Sequence, residues 1–162
     1  MDPIGKSPIA VPLLVLGKAA MAASLSFFLM KTLVSGSLLY DNALAGRIGA
    51  WLAIGGLVIV VLGFIDLGSS VSVGLPREAT VLKTGGIHRI TRNPLYLGGF
   101  LACAGSCLYC VHLLNILLCG LTVAIHHRVV LKEEKFLEER FGRQWLDYKQ
   151  RVPRYLGSIR LA

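Results

Sequence analysis

Thr84-Gly85-Gly86-Ile87-His88-Arg89-Ile90-Thr91-Arg92-Asn93-Pro94-Leu95-Tyr96-Leu97-Gly98 is a polar, glycine- and arginine-bearing segment that runs straight into an apolar helix. Pro94 suits the first turn of that helix, where its missing N–H would be unpaired anyway, so the helix is expected to begin near Leu95. A helix N-terminus offers free N–H groups and a partial positive charge, a place for a polar ligand to dock at a membrane edge. The plainer alternative is a loop of basic residues flanking a membrane span.

Outward from this stretch the chain is strongly apolar. Of its 162 residues 54% are hydrophobic, and its mean hydropathy of +0.65 exceeds what a soluble domain of this size carries. The net charge of +8 does not indicate nucleic acid, because long apolar runs separate the basic residues and no basic face interleaves with aromatics. It reads instead as charge held on the cytosolic side of a membrane. Cys103, Cys107, Cys110 and Cys119 all fall in apolar segments, where cysteine behaves as a small hydrophobe, and Cys107-x-x-Cys110 lacks the βαβ context of a redox motif.

Four spans are expected. Residues 1–8 are short and polar, and the run from Ile9 to about Leu33 is too long for a signal-peptide core, so it is expected to be retained as the first span. Lys18 interrupts that run and is expected to snorkel or pack. After a polar loop from Tyr40 to Arg47, Ile48 to Leu67 forms the second span, with Gly49, Gly55, Gly56 and Gly63 permitting close helix contacts. The third span runs from about Leu95 to Val111 and carries Gly98, Ala102 and Ser106 at four-residue spacing, a face on which a helix can approach the backbone.

The turn from His112 to Asn115 holds no Lys or Arg, as expected outside, and the fourth span covers about Ile116 to Val130. No breaker ends it, so it should continue as a charged helix to a C-cap at Gly142. Beyond it Trp145, Leu146, Tyr148 and Val152 alternate with Arg143, Lys149 and Arg151, the pattern of a short interfacial helix stopped by Pro153. The expected fold is therefore all-α and multi-pass, one membrane domain over residues 1–162 with a cytosolic helical C-terminal extension. The N-terminus, the 68–92 loop and the C-terminal tail fall on the cytosolic side.

On the charged extension Val130, Leu137 and Phe141 share one face, and Glu134 falls on the same stripe. An acid on a packed face needs a partner, although glutamates in such a run usually mark a solvated surface. His126 and His127 stand seven residues before Glu133 and Glu134, too far for i,i+4 chelation, so no metal is expected.

Thr84-Gly85-Gly86 and Arg92-Asn93-Pro94-Leu95-Tyr96-Leu97-Gly98, followed by Glu133-Glu134, Phe141-Gly142, Tyr148 and Val152-Pro153-Arg154, resemble the isoprenylcysteine carboxyl methyltransferase and phospholipid methyltransferase superfamily. The resemblance covers residues 80–155. It implies an integral membrane methyltransferase whose C-terminal half binds S-adenosylmethionine in a cytosol-facing pocket and whose lipophilic substrate enters from the bilayer. By resemblance Val81, Leu82, Lys83, His88, Asn93, Pro94, Leu95, Tyr96 and Glu133 line the cofactor, and Glu134 joins them from its place on the packed stripe. Asn93 stands where the family usually has histidine, and His88 where it usually has tyrosine; both remain hydrogen-bonding.

An arginine that prenylcysteine enzymes tie to substrate aligns with Val129, and its neighbour Arg128 is rotated by ~100° on the helix. On family grounds the expected acceptor is a prenylcysteine-like carboxylate, methylated on oxygen. A carboxylate wants a cation, and Arg92, Arg128 and Arg154 are the candidates. A phospholipid amine would instead want a carboxylate or base such as Glu134, so Glu134 and Arg92 are the candidate catalytic groups. Integral sterol reductases resemble the same C-terminal pattern, and a non-catalytic scaffold is the remaining alternative. The expected partners are membrane lipids and a lipophilic or prenylated substrate.

Overall fold

The computed structural model describes residues 11–33, 42–67 and 81–157. The expected N-terminal polar segment, Tyr40, most of the 68–92 loop before Val81 and the tail beyond Gly157 lie outside them. Among the described residues five α-helices follow in order: α1 (Val11–Leu33), α2 (Ala43–Leu67), α3 (Pro94–Tyr109), α4 (Leu113–Phe141) and α5 (Arg143–Arg151), with a 3-10 turn at Gly86–Arg89 before α3. Helices α1, α2 and α4 are long and apolar enough to cross a membrane. The expected third span is a shorter apolar helix of 16 residues, about 24 Å at 1.5 Å per residue against a hydrocarbon core of ~30 Å.

Side-chain caps move two boundaries from where hydropathy places them. Asn42 Oδ1 accepts from the Leu44 and Ala45 N–H groups at 2.9 and 3.0 Å, starting α2 inside the expected polar loop. His112 Nδ1 accepts from the Leu114 N–H at 3.2 Å, so α4 begins at Leu113 and takes in all of the expected turn except His112. Asn115 is consequently not a loop residue. It is fully buried and hydrogen-bonds the Ser24 hydroxyl, the Ser106 hydroxyl and the Cys110 carbonyl, joining α1, α3 and α4 near one end of the bundle.

Helices α2 and α3 meet through backbone. A Cβ on Gly56 would stand 2.5 Å from the Gly98 carbonyl oxygen, and one on Gly98 would stand 2.5 Å from that of Gly56. Gly49, Ala53 and Gly105 extend the seam, so small residues on both helices replace the side-chain layer that ordinary helix pairs need. Ser106, expected on this face, turns instead to α1 and donates to the Ser24 carbonyl at 2.7 Å. Gly55 points away from every neighbour.

Helix α4 runs unbroken for 29 residues to its expected stop at Gly142, where φ is +51°. The turn folds α5 back onto the extension of α4. Trp145, Tyr148 and Val152 are buried against Leu82, Leu137 and Phe141. This corrects the expectation of an interfacial helix: the apolar face of α5 packs on protein, leaving mainly Leu146 exposed.

Candidate functional site

The organising stretch is fixed from three sides before it enters α3. Asp66, at the end of α2, accepts from the Ile87 N–H and faces His88 Nδ1 at 3.8 Å. Gly86 has φ +52°, and a Cβ there would overlap the Asp66 carboxylate, so glycine is required. Tyr148 of α5 donates its hydroxyl to the His88 carbonyl at 2.7 Å. On the third side Arg92 N–H donates to the Pro153 carbonyl at 3.0 Å, and the buried Thr91 hydroxyl donates to the Arg154 carbonyl at 3.1 Å. Burial holds the His88 imidazole below its ordinary pKa, against the opposing pull of Asp66.

Glu134 is the hub of the site. It is 4% exposed. Arg154 donates from Nε at 3.0 Å and from Nη2 at 2.8 Å to Oε2, while Asn93 Nδ2 donates to Oε1 at 3.1 Å and Arg92 Nη2 stands 3.4 Å from Oε1. The acid on the packed stripe thus has the partners that its burial demands. The two arginines respond oppositely. The hydrogen bonds to Glu134 raise the Arg154 pKa, whereas burial lowers that of Arg92 despite the same carboxylate. Distance explains the difference: Arg154 makes short bonds from a position one-third exposed, while Arg92 is more deeply desolvated at a longer contact. The Arg92 guanidinium lies 5.4 Å over the Trp145 ring, and its Nε and Nη1 are buried with no hydrogen-bond partner among the described residues.

Glu133, the preceding residue, faces elsewhere. Tyr96 donates its hydroxyl to Glu133 Oε1 at 2.8 Å, pinning the first turn of α3 to α4. The structure therefore brings Arg92, Asn93, Tyr96, Glu133, Glu134 and Arg154 together, with His88 attached through Tyr148. Pro94 and Leu95 turn the other way and pack against Gly63 of α2. Leu82 belongs to the α5 cluster, and Val81 and Lys83 are exposed. Arg128 is exposed on α4 and joins none of these contacts. The clamp that Thr91 and Arg92 make with Arg154 and Pro153 was not legible in the sequence, because the partners are some 60 residues apart in the chain.

The family model described as phospholipid methyltransferase matches residues 44–144, more than half of the chain. This chain belongs to that family. Within the phospholipid methyltransferase match fall α2, α3, α4 and the organising stretch, while the Val152–Arg154 clamp lies just beyond it. The chain is also similar to Protein-S-isoprenylcysteine O-methyltransferase B of Arabidopsis thaliana, 30% identical over 122 residues, with 64% of this chain and 58% of the relative covered. It thus spans somewhat over half the length of that relative. Membership and the apolar helices together make this an integral membrane protein.

Proposed function

We propose that this protein transfers a methyl group from S-adenosylmethionine to a lipophilic acceptor drawn from the bilayer, with a prenylcysteine-like carboxylate as the acceptor. The observation that carries this reading is the half-buried cluster of Arg92, Asn93, Tyr96, Glu133 and Arg154 around the buried Glu134. It sits where α3 begins and where α4 changes from an apolar to a charged helix.

The residues present fit the cofactor. Arg92 keeps two buried nitrogens, Nε and Nη1, that are unpaired among the described residues, a donor set matched to the carboxylate of a methionine moiety. Glu133 has one oxygen bonded to Tyr96, leaving the second for an ammonium or ribose hydroxyl. Asn93 and Tyr96 stand beside them at the start of α3, and in this reading Val81, Leu82, Lys83 and His88 contribute from the segment before it. S-adenosylmethionine supplies an electrophilic methyl group on a sulfonium. Methyl transfer forms one bond from the acceptor oxygen to that carbon as the carbon–sulfur bond breaks, so no side-chain nucleophile is required. The chain's part is to position donor and acceptor and to exclude water.

Glu134 acts as a positioning residue in this scheme. Its oxygens are occupied by Arg92, Arg154 and Asn93, which suits it to hold the site together better than to take a proton. Arg154 is committed to Glu134 and Arg128 faces away, so Arg92 is the cation best placed for an anionic ligand group. The carboxylate acceptor itself is favoured by what the Arabidopsis relative's name says of that protein. Methylation of a lipid amine is the second reading, favoured by the Tyr96–Glu133 pair, since a carboxylate at the membrane edge attracts an ammonium. A sterol-reductase-like or non-catalytic role has no such support.

The purified protein is given methyl-labelled S-adenosylmethionine with a farnesylated cysteine analogue or with phosphatidylethanolamine. A base-labile methyl ester on the first is the expected product. A base-stable N-methyl product on the second alone would replace the carboxylate by the amine.

A further inference from the structure

Two helical turns before Glu133, toward the apolar part of α4, His126 is 4% exposed. Its Nδ1 lies 2.9 Å from the Thr122 carbonyl oxygen. A carbonyl only accepts, so Nδ1 carries the proton and Nε2 presents a lone pair. Among the described residues the ring makes no other hydrogen bond. Its space is built: a Cβ on Gly17 of α1 would stand 2.9 Å from the ring's Cε1. Across from α1, the Tyr96 ring lies with its centroid 5.8 Å from that of His126, and the hydroxyl of the same tyrosine reaches Glu133.

The imidazole thus lies one tyrosine ring deeper than the carboxylate. Phenylalanine would fill such a slot with an apolar ring, and ionisable groups at membrane depth are costly unless a ligand or partner meets them. The neighbouring His127 is only half-buried, and its Nδ1 is held by a side chain, 3.1 Å from the Tyr155 hydroxyl. Lys18 follows Gly17 on α1 and is exposed.

We propose that His126 Nε2 accepts a hydrogen bond from an N–H or O–H donor on the polar head of the methyl acceptor, which makes His126 a specificity-determining contact. Resting on the methyl-transfer reading, this assigns the acceptor to lipophilic molecules that carry such a donor beside the methylated group. Lys18 offers a cation to a head that also bears a carboxylate. An acylated prenylcysteine has the N–H and the carboxylate together; phosphatidylethanolamine has the N–H without a carboxylate.

The test compares two acceptors on the full chain in lipid nanodiscs. N-acetyl-S-farnesylcysteine carries the amide N–H, and S-farnesyl-3-mercaptopropionate keeps the chain and carboxylate without any nitrogen. The wild type is expected to prefer the first by about tenfold in kcat/KM, the size of one net hydrogen bond. His126→Phe should abolish the preference and His126→Asn should restore part of it, with S-adenosylmethionine affinity unchanged in both. If phosphatidylethanolamine is the only acceptor used, the same two variants should lower and partly restore kcat/KM on it.

A preference that survives in His126→Phe, no preference in the wild type, or an aminophospholipid rate indifferent to both variants would overturn the inference while leaving methyl transfer intact. A wild type that methylates none of the three acceptors would overturn the functional reading and this inference together.

Discussion

Replacing Glu134 by Gln removes one negative charge at nearly constant shape from the point where α4, the organising stretch and the C-terminal segment meet. A carboxamide can accept from only one side. Whichever way it turns, its NH2 faces either the Arg154 donors at 2.8 and 3.0 Å or the Asn93 and Arg92 donors at 3.1 and 3.4 Å. Two guanidinium groups then lose their counter-charge, one with its side chain 6% exposed and the other 33%. Removing one partner of a fully buried pair costs about 3–5 kcal/mol. Arg154 can turn to water and recover part of that, so the expected loss is about 2–4 kcal/mol. Unfolding of the purified protein in mixed micelles, followed by helical circular dichroism against added SDS, measures it. Because Arg154 and Glu134 act as a unit, Glu134→Gln with Arg154→Met should cost clearly less than the sum of the single changes. A Glu134→Gln protein within about 0.5 kcal/mol of wild type, the range of an ordinary surface substitution, would refute the hub.

Gly56→Val should prevent α2 from closing on α3, because its Cβ would meet backbone atoms of Gly98 and Ala102 that cannot move aside; Gly55→Val, on the open side, should unfold like wild type in the same assay. The buried His88 titrates below its unfolded value of 6.5. Above that pH both states hold it neutral, and as pH falls through it the unfolded chain binds the proton first. Stability should therefore fall from pH 7.5 to 5.5, a slope that His88→Phe should reduce. With the native cysteines replaced, a cysteine at Leu114, which is exposed beside the α4 cap, should be labelled from the side opposite the cytosol, placing both termini cytosolic. Labelling from the cytosol alone would invert the topology.

The helices were legible because apolar runs of this length leave the backbone few other ways to satisfy its hydrogen bonds. Their ends were less so: Asn42 and His112 cap through side-chain geometry that hydropathy does not register. Periodicity reported correctly that α5 has an apolar face, but not whether lipid or protein covers it, and Trp145 and Tyr148 prove to be protein core. Adjacent glycines posed the same difficulty, since only the partner helix distinguishes Gly56 from Gly55. Glu134 could be found from its stripe, whereas the identity of its partners Arg154, Asn93 and Arg92 depended on contacts 20 or more residues away. Arg128 shows the converse: its neighbourhood in sequence suggested a substrate cation, and one step around the helix leaves it exposed.

Isothermal titration of S-adenosylmethionine into the detergent-solubilised protein tests the central claim most directly, with Glu133→Gln and Glu138→Gln run beside the wild type. Glu138, paired with Lys149 on the exposed side of α4, is the control. The expected result is binding by the wild type, retained in Glu138→Gln and weakened about 10- to 100-fold in Glu133→Gln, as loss of a charged hydrogen bond requires. Binding of a nicotinamide nucleotide in place of S-adenosylmethionine, or equal affinities in the two variants, would contradict it.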